Sequence, residues 1–218
     1  MKLAVHGATG RMGKAIVRLA REGGDFEVVG AVAAADAPEQ GRDVGEVAGV
    51  GAIGVAVTAD PAAGVLGADV VIDFSAEVAL AGIVRAAARA KIALVSGTTG
   101  IGERGQRELD EAAKVVPVLW APNMSLGMEV LASLARSAVE RLGPDWDVEI
   151  VETHHRGKVD APSGTAMRLA EAVRQARPEL VTRHGREGAA GPRKAEEMGV
   201  TAIRGSCSLT PSQPWSAA

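Results

Sequence analysis

Hydrophobic and polar positions along the chain follow two regimes. In the first, short apolar runs alternate with helical periodicity. Lys2 to His6 is an apolar run that breaks at the glycine-punctuated stretch Gly7-Ala8-Thr9-Gly10-Arg11-Met12-Gly13, and a helical pattern follows from Lys14 to Arg21. Phe26 to Val32 is a second apolar run, completing a strand-helix-strand unit of about thirty residues. Further apolar runs at Asp69 to Phe74, Ile92 to Ser96 and Val115 to Trp120 are separated by helical patterns over Glu77 to Ala90 and Glu103 to Lys114. Strands that read as continuous apolar runs are covered on both faces, so this alternation predicts an α/β fold with a doubly wound parallel sheet. Right-handed crossovers then bring the carboxyl ends of the strands to one ligand-binding edge.

The second regime begins near Asn123. Ser125 to Leu142 reads as a long amphipathic helix closed by Gly143-Pro144-Asp145. Asp147-Val148-Glu149-Ile150-Val151 alternates as a half-buried strand, the pattern breaks at Gly157 and Pro162, and helical periodicity resumes from Ser163. Residues 178–198 are polar and read as an extended connection before a short strand at Val200 to Arg204. The stretch from Ser206 to Ala218 is rich in Ser and Pro and carries no periodicity. The pattern therefore predicts one domain over 1–122, a second over 123–205 and an unpatterned tail over 206–218.

Two places carry candidate chemistry. Strand, glycine turn and helix in immediate succession form the context of a dinucleotide fingerprint, in which glycines let the backbone approach a pyrophosphate and the helix N-terminus supplies N–H donors. The spacing here is GxxGxxG, which makes the motif of moderate specificity. The second strand ends in Ala33-Ala34-Ala35-Asp36, where such folds place an acid for the adenosine ribose or a cation for a 2′-phosphate. Asp36 is either a ribose contact or a loop cap, so NADH and NADPH both stay open. At the same predicted edge stand the small, polar loops Asp73-Phe74-Ser75, Gly97-Thr98-Thr99-Gly100 and Ala121-Pro122-Asn123-Met124-Ser125.

The other place is Glu152 to Ala166, which gathers two of the four histidines, Arg156, Lys158 and a helix start into fifteen positions. On a strand-to-helix loop, Lys158, Arg156, His154 and His155 are expected to converge on an anion at the N-terminus opened by Ser163, Gly164 and Thr165. Histidine titrates near neutrality, so an imidazole beside cations and a bound dianion can act as a general acid.

Composition narrows the classes. A net charge of −3 and an isoelectric point of about 5.9 argue against nucleic-acid and membrane-surface partners, as does the lack of any basic run. No apolar run reaches the ~18 residues of a membrane span and no signal layout opens the chain, so a cytoplasmic protein is expected. With no Tyr and two Phe the core must be aliphatic, and base-stacking platforms are disfavoured. The single cysteine, Cys207, excludes an intramolecular disulfide, and nothing predicts a metal site.

The residues Gly7 to Gly13, Gly97-Thr98-Thr99-Gly100, Ala121 to Ser125 and above all His154-His155-Arg156-Gly157-Lys158-Val159-Asp160-Ala161-Pro162-Ser163-Gly164-Thr165 resemble the 4-hydroxy-tetrahydrodipicolinate (dihydrodipicolinate) reductase family of lysine and diaminopimelate biosynthesis. The resemblance runs in order from residue 1 to about 205. It implies a Rossmann-type cofactor domain followed by an α+β substrate-binding and oligomerisation domain built on a mixed sheet, in a homotetramer. It implies NADH or NADPH as cofactor, a small dicarboxylate as substrate, His154 as catalytic proton donor and Lys158 as its partner. Substrate carboxylates would be held by His155, Ser163, Gly164 and Thr165. The cofactor would be lined by Gly7, Ala8, Thr9, Gly10, Arg11, Met12, Ala34, Phe74, Gly97, Thr98, Thr99, Ala121, Pro122, Asn123 and Met124. The family normally continues beyond the short strand ending at Arg204, where this chain has its unpatterned tail, so a truncated or altered C-terminus is expected. That departure keeps open a degenerate, non-catalytic nucleotide-binding copy. A related amino-acid dehydrogenase would share the glycine loop without accounting for the His154 to Thr165 string.

Overall fold

The computed structural model describes residues 1–205, so the tail with Cys207 lies outside the described residues. The chain divides into two compact units, Met1–Pro122 and the residues from Asn123 onward.

The first unit contains β1 (Lys2–His6), α1 (Arg11–Gly23), β2 (Glu27–Val32), α2 (Val44–Ala48), β3 (Val57–Thr58), α3 (Pro61–Gly64), β4 (Val70–Asp73), α4 (Glu77–Ala90), β5 (Ala93–Ser96), α5 (Gly102–Ala113) and β6 (Val118–Trp120). All six strands run parallel in the order β3-β2-β1-β4-β5-β6. This is the dinucleotide-fold order, and its direction reverses between β1 and β4. Strand alternation divides β1 between two aliphatic cores. Leu3 and Val5 pack with Val17 and Val44 on one face, and Ala4 packs with Val71, Leu80, Ile83 and Leu94 on the other.

Several boundaries differ from the sequence reading for local reasons. Helix α1 begins at Arg11 rather than Lys14, because Gly10 takes an extended N-cap conformation and the second half of the glycine motif is the first helical turn. Strand β6 starts three residues later than the Val115 expected, since the amides of Val115 and Val116 both return to the Ala112 carbonyl and extend the end of α5. The short elements α2, β3 and α3 have too few residues for periodicity. Asp43 orders α2 and the approach to β3, its carboxylate accepting the amides of Gly45, Glu46, Ile53, Gly54 and Val55, while Asp60 caps α3 by accepting the Ala62 amide.

The second unit contains α6 (Leu126–Leu142), β7 (Val148–His155), α7 (Gly164–Ala176), β8 (Val181–Arg183) and β9 (Glu197–Gly205). Its core is Ala166, Ala170, Val173, Leu180, Met198 and Val200. The strands lie in the order β7-β9-β8 and both pairings are parallel. Among the described residues this corrects the mixed sheet that the family resemblance implied, and the physical reason is connection length. The segments after β7 and after β8 each exceed a dozen residues, enough to return the chain in the same direction. The expected plain connection over 178–198 in fact carries β8, and β9 begins at Glu197, three residues before the Val200 expected.

Candidate active site

In the first unit the glycines shape a cleft at the β1/β4 switch point. Gly7 has φ +76°, and a Cβ there would stand 2.4 Å from the Phe74 carbonyl oxygen, so only glycine lets the turn pass this close to the loop after β4. A Cβ at Gly13 would stand 2.2 Å from the Gly7 carbonyl oxygen, which seats the first turn of α1 directly on the glycine turn. The amides of Gly7 and Ala8 both donate to the Val32 carbonyl at 2.9 and 3.0 Å. Gly10 has no side chain to cap α1, and the first turn carries no acid, so its N–H groups stay open to an anion. The cleft holds about 640 Å³, within the range of ligand sites, and its lining includes Gly7, Thr9, Gly10, Ala34 and Phe74. These features fit a dinucleotide.

Other expected cofactor residues are placed differently. Ala8 is buried behind the turn, while Arg11 and Met12 are exposed on the first turn of α1. A Cβ at Gly97 would stand 2.2 Å from the Phe74 ring. Thr98 is buried: its hydroxyl donates to Asp73 at 2.7 Å and its carbonyl accepts Trp120 Nε1 at 2.9 Å. Its side chain therefore serves the protein, while Thr99 is exposed beside it. Ala121 and Pro122 close the first unit, and Asn123 and Met124 open the second.

A buried polar cluster beneath this cleft was not legible as a unit in the sequence. Asp73 accepts hydrogen bonds from Ser96 Oγ and Thr98 Oγ1, both at 2.7 Å, and from the Ser75 amide at 3.1 Å, with His6 Nδ1 at 2.8 Å. Burial alone would raise the Asp73 pKa. The His6, Ser96 and Ser75 hydrogen bonds outweigh it and bring the carboxyl down to about 2.

In the second unit β7 runs through His155, so both histidines are on the strand rather than on the expected loop. Its residues alternate between half-buried and exposed, with Glu152 and His154 on the inner face and Thr153 and His155 on the outer. This corrects the expected convergence of both imidazoles on one anion, because adjacent strand residues point to opposite faces. His155 instead lies against the turn, where a Cβ at Gly157 would be 3.3 Å from its Nδ1.

His154 is fixed by Glu152, whose carboxylate meets His154 Nδ1, accepts two bonds from the Arg204 guanidinium at 2.9 Å, and accepts the Ser163 amide at 2.9 Å. The Arg204 bonds lead in holding the Glu152 pKa down at about 2, against an opposing effect of burial, with His154 and the Ser163 amide contributing. An ionised carboxylate only accepts, so the proton between the two groups belongs on Nδ1, and Nε2 is left to exchange a proton. Sequence reasoning missed Glu152 and Arg204. The two-residue strand period was a usable signal for Glu152, whereas Arg204 reaches the site only through the β7/β9 register, where it pairs with His154.

Helix α7 is capped by Ser163, whose Oγ accepts the Ala166 amide at 3.2 Å. A Cβ at Gly164 would meet nothing within 4 Å, and the first turn carries no acid, so the N-terminus is open to an anion. Thr165 Oγ1 accepts Asn123 Nδ2 at 3.2 Å. Lys158 Nζ is 2.7 Å from Asp160 Oδ1, and this bond leads in lowering the Asp160 pKa. Arg156 is exposed on the same turn. Among the described residues no group of His, Cys, Asp and Glu could hold a metal ion, and no helix is long and apolar enough to cross a membrane.

Residues 1–124 match the family model described as dihydrodipicolinate reductase, N-terminus, and residues 127–211 match dihydrodipicolinate reductase, C-terminus. The chain is 45% identical over 207 residues to a 4-hydroxy-tetrahydrodipicolinate reductase of Anaeromyxobacter dehalogenans, covering 94% of this chain and 77% of the relative. It is 41% identical over 208 residues to one from Methylocella silvestris, covering 94% and 76%. A dipicolinate-bound dihydrodipicolinate reductase from Paenisporosarcina sp. TG-14 superposes with a TM-score of 0.68 at 25% identity, over 94% of this chain and 79% of that one. An aspartate semialdehyde dehydrogenase with NADP from Candida albicans shares the fold, with a TM-score of 0.51 at 17% identity over 93% and 66% of the two chains.

Proposed function

The chain belongs to the dihydrodipicolinate reductase family, and we propose that the first unit holds NAD(P)H while His154 and Lys158 of the second do the protein's part of the chemistry. It is an NAD(P)H-dependent oxidoreductase of lysine and diaminopimelate biosynthesis, reducing 4-hydroxy-tetrahydrodipicolinate to tetrahydrodipicolinate. When bound, the nicotinamide supplies a hydride. His154, carrying a proton on each nitrogen, gives up the one on Nε2 as charge develops on the substrate, and Glu152 holds the Nδ1–H tautomer that is left. The substrate is a cyclic dicarboxylate. One carboxylate is held by Ser163, Gly164 and Thr165 at the open end of α7, and Lys158 turns from Asp160 to neutralise the substrate. His155 flanks the same loop.

On the cofactor side, Gly7, Ala8, Thr9, Gly10, Arg11 and Met12 cradle the pyrophosphate, and Ala34 lies beside the adenosine ribose. Phe74, Gly97, Thr98, Thr99, Ala121, Pro122, Asn123 and Met124 serve the nicotinamide half, Thr98 by its backbone. Ala33, Ala34 and Ala35 bring neither a carboxylate to repel a 2′-phosphate nor a cation to require one, so both NADH and NADPH are accepted. A homotetramer is supported by family likeness and by the apolar side chains that the second unit leaves exposed, Leu126, Leu134, Val151 and Ile203 among them.

The observation that carries this reading is the His154–Glu152–Arg204 clamp on the unit whose helix α7 opens to an anion. The test is oxidation of NADH and of NADPH by the purified chain, with substrate generated in place from pyruvate and aspartate semialdehyde by the preceding synthase. Substrate-dependent oxidation of both coenzymes is expected. No oxidation by folded protein overturns the reading.

A further inference from the structure

The reduction described above leaves one buried histidine without a task. His6 ends β1 immediately before Gly7, is 4% exposed, and is one of the residues lining the cleft with Gly7, Thr9 and Gly10. Its Nδ1 lies 2.8 Å from Asp73, a carboxylate already accepting from Ser75, Ser96 and Thr98. A carboxylate so supplied has only lone pairs to offer, so the proton shared with His6 must belong to Nδ1. The opposite nitrogen, Nε2, hydrogen-bonds to no protein group among the described residues and is not one of their buried unpaired atoms, so it is open to the cleft. A ring fixed by one nitrogen and open at the other, on the wall of a cleft, is placed to meet something that enters the cleft.

The neighbours of His6 say what that is. The open amides at the start of α1 and the glycine turn form an anion cradle beside it, and the other charged residues lining the cleft, Arg85 and Arg104, are cations. We propose that His6 is a cofactor-contacting residue, held by Asp73 so that its Nε2, protonated on binding, donates to the pyrophosphate of the bound dinucleotide. This rests on the reading of the cleft as the dinucleotide site. The proton comes from solvent, giving an imidazolium between two anions, Asp73 and the pyrophosphate, so one proton enters as the cofactor binds. Asp73 is held ionised by its hydrogen bonds, and among the side chains around the cleft an imidazole is the kind whose charge changes near neutrality. The contact is therefore complete at lower pH and lost as pH rises.

NADH tests this better than NADPH, whose 2′-phosphate itself titrates near neutrality. Its affinity is measured by fluorescence at about pH 6 and about pH 8.5 for the unaltered chain and for His6→Asn. Proton uptake on binding is read by calorimetry in buffers of differing ionisation enthalpy. The unaltered chain is expected to bind about tenfold more tightly at the lower pH and to take up a proton, and His6→Asn to lose both properties. If the variant fails to fold, the calorimetry on the unaltered chain still decides. Binding without proton uptake overturns the role of His6 alone, as does a variant that retains the pH dependence. No NADH binding at either pH overturns the cofactor cleft together with it.

Discussion

A general acid is only as good as the restraint on its ring. His154 is held by the ionised Glu152, which Arg204 and the Ser163 amide pin in turn. Replacing His154 with Gln is expected to lower turnover by about two to four orders of magnitude with the NADH dissociation constant little changed. An unaltered rate would remove His154 from the mechanism. Glu152→Gln keeps the shape but loses the charge that fixes the tautomer, so kcat should fall by about one to two orders while KM for the cofactor holds. Equal losses in both constants would make Glu152 a merely structural group. Much of this was legible in one string of sequence, since His154, Lys158 and the Ser163 cap are close neighbours whose chemistry needs no tertiary information. Arg204 was not, because it stands 52 residues from Glu152 and joins it only when β9 pairs beside β7.

Elements with period and length announced themselves, as α4 and β1 did, because amphipathic or doubly covered segments must repeat. The two histidines illustrate the converse. Gly157 and Pro162 mark where β7 has ended but not where it ends, and carrying the strand on to His155 sends the rings to opposite faces. The joint of α1 with the glycine turn makes a prediction at this scale. A Cβ at Gly13 would lie 2.2 Å from one backbone atom and 2.6 Å from another, neither able to rotate away. Gly13→Ala should therefore weaken NADH binding by more than tenfold, roughly the effect of shifting a helix N-terminus off its anion, and fluorescence titration would show it. Unchanged affinity would mean that α1 shifts without disturbing the cradle. The ends of β1, β4 and β5 are tied by Asp73, whose pKa is about 2 against an ordinary 3.8. A lowered carboxyl adds stability above its ordinary value and loses it as pH falls toward the folded value. The contribution is on the order of 2 kcal/mol. Thermal melts of Asp73→Asn should thus be destabilised at neutral pH and show a shallower loss between about pH 4 and pH 2 than the unaltered chain. Parallel curves would place the acid sensitivity elsewhere.

At the scale of the molecule, foldability follows from how completely each unit buries its own apolar faces. The first unit has a six-stranded sheet covered on both sides by separate aliphatic clusters, and every strand pairing it makes lies within residues 1–122. Its cleft, glycine turn and Asp73 cluster also come from those residues alone. A domain of this size with a closed core folds independently. A fragment of residues 1–122 is therefore expected to give a cooperative thermal transition and to bind NADH within about tenfold of the full chain, while showing no reductase activity because His154 and Lys158 are absent. An unfolded fragment would show that the sheet needs the rest of the chain to hold its shape. A folded fragment that fails to bind would move part of the cofactor's contacts to Asn123, Met124 or residues beyond them.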